Sequence, residues 1–180
     1  MASKYFHILL LFWLMVGSEM LAQGDQYISE YLVRLENSRN YLIEVASLMP
    51  EENYEFKATE ESLTFSENLL HIGFAMNWHS KTLLGGIDTP NWQADTLYKV
   101  ENKSKEEMIA LIDKTFSQSI ELIGNMDPQQ LNEQIEYFGH ERSKRQILML
   151  LSDHITHHRG QMLVYLRLNG VVPPRYVLYQ

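Results

Sequence analysis

Two histidines in the last third of the chain have a spacing that suits metal binding. His154 and His158 are four residues apart within the run Asp153–Gln161. In an ideal helix they lie within about 40° of each other, so both imidazoles point to one face, one turn apart. Such a pair can hold one divalent ion, as in zinc proteases. The glutamate of the protease motif is missing, because Ile155 and Thr156 occupy the gap, so a protease of that class is not supported.

The same pair could instead be two core histidines that bond to polar neighbours. The apolar stripe of this segment faces the same way as His154 and His158, while His157 lies at its edge, about 60° from His154. The members of the stripe are Ile147, Leu150, Leu151 and Tyr165. Two inward imidazoles on one turn each need a polar partner away from water, and one shared ion would serve both. The spacing alone leaves both interpretations open.

A third ligand would have to come from a facing helix. The segment that ends near Gly85 offers His71 and His79. If His71 is placed at 0°, the apolar face of this segment centres near about 90° and His79 lies at about 80°. Periodicity therefore slightly favours His79, while His71 lies toward one edge beside Trp78.

Four segments with helical periodicity must position these histidines. They run from about Asp25 to Met49, from Thr64 to Gly85-Gly86, from Ser104 to Gly124-Asn125 and from Ser143 to Asn169-Gly170. The last three open with the Ser/Thr-x-x-Glu/Gln pattern of a capping box. Convincing strands are absent, although Gln134 to Phe138 could pair briefly. The pattern predicts an all-α fold, a four-helix bundle with long connecting loops.

Composition narrows the possible functions. The sequence has no cysteine, so a metal site must use histidine or carboxylate ligands. The net charge of -8 makes binding to nucleic acid unfavourable. No glycine-rich phosphate-binding loop is present, so nucleotide chemistry has no support. The chain length indicates one domain.

The N-terminus has the pattern of a secretory signal peptide. Lys4 provides a basic start, Ile8 to Val16 forms a short apolar run, and Ala22 offers a small residue at a cleavage point. We therefore expect residues 1–22 to be removed and residues 23–180 to form the exported domain, periplasmic or secreted, with no stable membrane anchor. An uncleaved anchor is the alternative, but the apolar run falls short of the ~20 residues that a span needs.

Several blocks of the sequence resemble the DinB-like family, also called the DinB/YfiT-like metalloenzymes. The blocks are Leu48–Tyr54, Phe65–Ile72, Asp153–Gln161, Tyr165–Gly170 and Pro173-Pro174. The resemblance implies a four-helix bundle with a long crossover, often dimeric, and a nickel or zinc site with three histidine ligands. Those ligands correspond to His71, His154 and His158. His79, His157 and Gln161 would then lie around the ligands or in the pocket wall.

The resemblance leaves the reaction open. It implies a metal-dependent enzyme, either a hydrolase or a thiol-dependent S-transferase, that acts on an unknown small molecule. Export favours hydrolysis, because low-molecular-weight thiols are mainly cytoplasmic. No acid or base beside the three histidines is evident, so the catalytic residues are unknown. The alternative is a non-catalytic metal-binding or interaction domain with a structural ion. Elsewhere, Gly160 is expected to permit close helix approach, and Arg159 to pair with an acid on the surface.

Overall fold

A computed structural model describes residues 2–176, with side chains from residue 23 onward. Its helices are α1 (Ala2–Leu48), α2 (Phe65–Asn77), α3 (Lys105–Gly124) and α4 (Lys144–Leu168). A π-helical segment, Trp78–Leu84, continues α2, and short 3-10 turns cover Glu51–Asn53 and Pro128–Asn132. Strands β1 (Gln134–Tyr137) and β2 (His140–Ser143) form an antiparallel hairpin just before α4. The predicted four-helix bundle is confirmed, with this hairpin as its one departure from an all-helical chain among the described residues.

All three predicted capping boxes are complete. At the start of α2, the Thr64 hydroxyl accepts from the Glu67 amide (3.1 Å), and the Glu67 carboxylate accepts from the Thr64 amide (2.7 Å). Ser104 with Glu107 and Ser143 with Gln146 repeat the arrangement at α3 and α4. Because each box satisfies two amides that the first turn would leave unpaired, it fixes the residue at which its helix begins.

The bundle is closed by contacts between helices that are not consecutive in the chain. α1 packs mainly on α3, and α2 packs on both α3 and α4. Around the bundle the order is therefore α1, α3, α2, α4, which places α2 beside α4. Fully buried side chains from all four helices fill the centre; among the largest are Leu42, Phe65, Leu69, Phe116, Ile147 and Leu148. Burial of these side chains, at about 1.5 to 3 kcal/mol each, is the main favourable contribution to folding.

Helix α1 begins at Ala2, not near Asp25 as the periodicity predicted. The chain has no proline before Pro50, so no residue from Ala2 to Leu48 lacks the backbone N–H that a continuous helix needs. Residues 1–22, the predicted signal segment, lie outside the residues whose side chains are described, and their removal stays a prediction. Among the described residues, no helix combines the length and the hydrophobicity needed to cross a membrane.

Two predictions about α4 are wrong. Arg159 is buried, only 5% exposed, and its Nη1 donates to the Ser38 hydroxyl (2.7 Å) with the ring of Tyr41 nearby (5.2 Å). The reason is that Arg159 faces α1 and not the solvent. A Cβ added to Gly160 would meet no atom within 4 Å, so this glycine does not mark a close approach of two helices.

Candidate metal centre

Helices α2 and α4 bring three histidines together. One ligand-type atom from each of His71, His154 and His158 lies within 4.8 Å of the other two. Their ring centroids are 5.0 Å apart for His71 and His154, 4.6 Å for His71 and His158, and 4.6 Å for His154 and His158. The group contains no carboxylate. We call these three residues the histidine cluster.

The hydrogen bonds of Asn68 determine how His158 presents its ring. The Asn68 amide nitrogen donates to the carbonyls of Leu63 (3.2 Å) and Thr64 (2.8 Å), so its oxygen must be the acceptor that faces His158 Nδ1 (2.9 Å). His158 Nδ1 therefore carries the proton, and Nε2 keeps its lone pair. This is the usual arrangement behind a metal-binding imidazole, in which the remote nitrogen donates to a protein oxygen.

Two other nitrogen atoms of the cluster have no partner. His71 Nδ1 and His154 Nε2 are buried and make no hydrogen bond in the part of the chain that the structure describes. Leaving a buried nitrogen unpaired costs about 1 to 3 kcal/mol. A divalent ion among the three rings would satisfy such atoms, since neutral imidazole is a common ligand of zinc and nickel. The residues present thus fit a bound metal ion.

Electrostatics keep the cluster in the uncharged form that metal binding needs. Burial, together with the neighbouring histidines, lowers the pKa of His154 to about 4. Burial, together with His154 and His71, lowers the pKa of His158 to about 3. The pKa of His71 is also lowered, first by burial and then by the Lys99 ammonium. All three rings are therefore neutral near pH 7, with lone pairs available.

Aromatic side chains from α2 and from a connecting loop cover the His71 side of the cluster. Trp92 packs edge-on against the His71 ring at 4.8 Å, and Phe74 contacts Trp92 at 5.0 Å. The ammonium of Lys99 lies 3.6 Å from the centre of the Trp92 ring. The loop between the π-helical segment and α3 thus places both an apolar cover and a positive charge beside the site.

His79 lies next to the cluster but not in it. Its ring is 6.4 Å from that of His154, and it is only 3% exposed. The Ala75 carbonyl can only accept, so His79 Nδ1 donates to it (2.7 Å), and Nε2 accepts from the Tyr137 hydroxyl (3.3 Å). Both nitrogens are therefore engaged. Periodicity favoured His79 because it measures burial, whereas the structure brings His71 to the α4 pair.

The other two candidate residues around the site lie at its outer edge. His157 is exposed, and its ring meets His158 edge-on at 4.9 Å. Gln161 Nε2 donates to His157 Nε2 (3.0 Å), so these two side chains bond to each other. The sequence interpretation missed Asn68, although on ideal geometry it lies about 60° from His71 and inside the apolar face of α2. An amide at an inward position was the available signal.

Comparisons with known proteins place the chain among relatives of the same architecture. The DinB family profile matches residues 20–179. The uncharacterised protein YjoA of Bacillus subtilis (strain 168) is 23% identical over 154 residues, which cover 83% of this chain and 93% of YjoA.

Three solved structures share the fold. A DinB-like protein from Bacillus subtilis, YjoA, superposes with a TM-score of 0.67 at 22% identity, covering 86% of this chain and 99% of that one. A DinB-like protein from Bacillus cereus ATCC 10987 gives 0.66 at 19% identity, covering 84% and 95%. YfiT from Bacillus subtilis gives 0.63 at 17% identity, covering 83% and 89%, and is described as a probable metal-dependent hydrolase with an unusual four-helix bundle topology.

Proposed function

Because this chain belongs to the DinB family, we propose that it is a metal-dependent hydrolase whose ion is held by His71, His154 and His158. One observation carries the proposal: three imidazoles converge within 4.8 Å, and two buried nitrogens among them have no other partner in the described chain. The description of YfiT as a probable metal-dependent hydrolase supports the same chemistry. Zinc or nickel is the proposed ion, since both favour imidazole ligands.

The residues around the cluster prepare it for this chemistry. A bound divalent ion would supply Lewis acidity, which polarises a substrate oxygen and lowers the pKa of a coordinated water. Asn68 holds His158 with its Nε2 lone pair free, and burial keeps the imidazoles neutral. Trp92 packs edge-on against one side of the His71 ring. Three protein ligands leave a coordination position open, which is typical of catalytic and not of structural sites.

Elemental analysis of metal content tests the ligand set. The full chain is purified without a metal-binding tag, beside His71→Ala and His154→Ala. His79→Ala is the matched control, because it removes a buried histidine of the same helical run whose nitrogens bond elsewhere. We expect about one ion per chain in the wild type and the control, and loss in the other two variants. A wild type that cannot be loaded with zinc or nickel would overturn the proposal.

Catalysis is tested separately on the loaded protein. A panel of small esters, amides and thiol conjugates is incubated with the zinc, nickel and chelator-treated forms. Metal-dependent release of product from an ester or amide is expected for a hydrolase. Transfer to an added thiol without hydrolysis would favour the S-transferase interpretation, and full occupancy without turnover would favour a structural ion.

We further propose that the protein is exported and forms a homodimer. Export is supported by the signal pattern of residues 1–22 in the sequence, and the homodimer by the family resemblance alone. Mass spectrometry of the protein recovered outside the cytoplasm should give a chain that begins at Gln23. Sedimentation should give twice the mass of that chain. An intact N-terminus or a monomer would contradict the respective proposal.

A further inference from the structure

The turn of the hairpin has an unusual residue for its conformation. Tyr137 pairs with His140, so Phe138 and Gly139 form a two-residue connection, with φ of 50° and 80°. A tight turn with both residues in the left-handed region strongly favours Asn-Gly or Asp-Gly. A bulky aromatic residue is strained there, because its Cβ crowds the backbone. The chain therefore carries phenylalanine where local turn chemistry favours asparagine.

Burial does not account for this phenylalanine. Phe138 is 74% exposed, so most of its ring stays in water. Its ring contacts those of Tyr137 (4.8 Å) and Trp78 (5.5 Å), and these two rings contact each other (5.8 Å). We call Trp78, Tyr137 and Phe138 the aromatic platform. Strained residues of this kind cluster at binding and active sites, where their placement serves the ligand.

The aromatic platform adjoins the histidine cluster through His79. The Trp78 ring meets the His79 ring edge-on at 5.0 Å, and the Tyr137 hydroxyl donates to His79 Nε2. The His79 ring in turn lies 6.4 Å from that of His154. His79 is thus the one side chain in this sequence of contacts between the platform and the cluster.

We propose that the aromatic platform binds an aromatic or flat apolar group of the molecule that reaches the histidine cluster. The inference rests on the proposed metal-dependent function and narrows its substrates to small molecules with such a group beside the one that meets the metal. Aromatic rings attract a flat ring through offset or edge-on contacts and through burial of apolar surface. An exposed Phe138 offers this contact without competing core partners.

The proposal is tested with two metal-binding probes that differ in one substituent, a methyl group in one and a phenyl ring in the other. Acetohydroxamate and benzohydroxamate are titrated calorimetrically into the full-length, zinc-loaded protein. The wild type should bind benzohydroxamate roughly three- to tenfold more tightly than acetohydroxamate, because one aromatic contact contributes about that much affinity. Phe138→Asn should lose most of that advantage and bind acetohydroxamate as before. Phe138→Tyr, which keeps the ring, should retain it.

The unfolding temperature separates this role from a structural one. Phe138→Asn should not lower it, because asparagine suits the turn better. Leu168→Asn, which replaces another exposed apolar residue, 59% exposed and at the end of α4, should leave both affinities unchanged. Two outcomes would overturn the platform proposal alone. Either the wild type binds acetohydroxamate and benzohydroxamate equally well, or Phe138→Asn still binds benzohydroxamate more tightly than acetohydroxamate. Failure of both probes to bind would overturn the proposed open metal site as well.

Discussion

Asn68 shows how one buried amide can control a metal site at the scale of a residue. Its two donated hydrogen bonds go to backbone carbonyls, which cannot reverse their role as acceptors. The orientation of the amide, and through it the tautomer of His158, is therefore set by the backbone at the start of α2. The capping box at Thr64 holds that same backbone in place.

Replacement of Asn68 should weaken metal binding. Asn68→Ala removes the acceptor for His158 Nδ1, and zinc affinity should fall about 10- to 100-fold, as for other residues that support metal ligands. The unfolding free energy should fall by about 1 to 3 kcal/mol, because buried polar groups lose their partners. Asn68→Asp keeps the acceptor, so it should retain affinity while losing stability. Competition titration against a zinc indicator measures the affinity.

The control for this experiment is Ser104→Ala at the start of α3. It removes a helix cap, at a cost of about 1 kcal/mol, without touching the histidine cluster. Its zinc affinity should equal that of the wild type. Equal losses of affinity in Ser104→Ala and Asn68→Ala would show that the effect is general destabilisation and not the support of His158.

The buried histidines should make the metal-free protein sensitive to acid. Burial lowers the pKa of His79 to about 4, whereas a histidine in the unfolded chain has a pKa near about 6.5. Between these values the unfolded chain binds more protons, so stability is complete above pH ~6.5 and declines as the pH falls. His79 alone should cost on the order of 3 kcal/mol by pH ~4, with His154 and His158 adding to this. Urea unfolding of the chelated protein across this range is the measurement, and a flat profile would contradict it.

At the scale of the helix, the glycines Gly73 and Gly160 differ in whether their surroundings leave room for a side chain. A Cβ added to Gly73 would come 2.5 Å from the Ile112 side chain and 2.9 Å from Tyr98, so α2 approaches α3 closely here. We expect Gly73→Ala to lower the unfolding free energy by about 1 to 3 kcal/mol through overpacking. Gly160→Ala meets open space and should raise it by about 0.5 to 1 kcal/mol through helix propensity. Denaturant melts of both variants test the pair, and the same sign of change in both would contradict the packing seen here.

The local features of these helices were predictable, and the contacts between elements were not. A capping box depends on residues three apart, so Thr64, Ser104 and Ser143 marked three helix starts from sequence alone. The spacing of His154 and His158 likewise fixed their common face. The choice between His71 and His79 depended on what each ring meets across the bundle. Periodicity reports burial, and the more buried His79 turned out to be bonded to Ala75 and Tyr137.

Other parts of the site depend on pairings distant in sequence. Trp92 comes from an irregular loop. Tyr137 comes from the segment Gln134 to Phe138, for which the sequence indicated brief pairing without identifying its partner strand, His140–Ser143. The π-helical segment Trp78–Leu84 also carries no period in the sequence that distinguishes it from α-helix. These residues reach the site through contacts with α2 and its π-helical extension, Trp92 with His71 and Tyr137 with His79.

At the scale of the whole molecule, the histidine cluster connects two helices that are far apart in the sequence. His71 belongs to α2, and His154 and His158 belong to α4, which pack side by side. An ion held by all three would bind only where both helices are in place. Unfolding separates the helices and releases the ion, so metal binding should add to the folding free energy of the entire domain.

Zinc should therefore raise the unfolding free energy of the wild type by an amount that grows with the logarithm of the free zinc concentration divided by the dissociation constant. At a free zinc concentration a thousandfold above the dissociation constant, linkage predicts a gain of about 4 kcal/mol. His154→Ala should lose the zinc-dependent gain, while His79→Ala should keep it on top of a lower starting stability, because it removes a buried side chain but no ligand. Calorimetric scans with zinc or with chelator measure the gain for each variant. A gain of equal size in His154→Ala would mean that zinc binds elsewhere on the fold, and would contradict the proposal that one ion connects α2 and α4 through the histidine cluster.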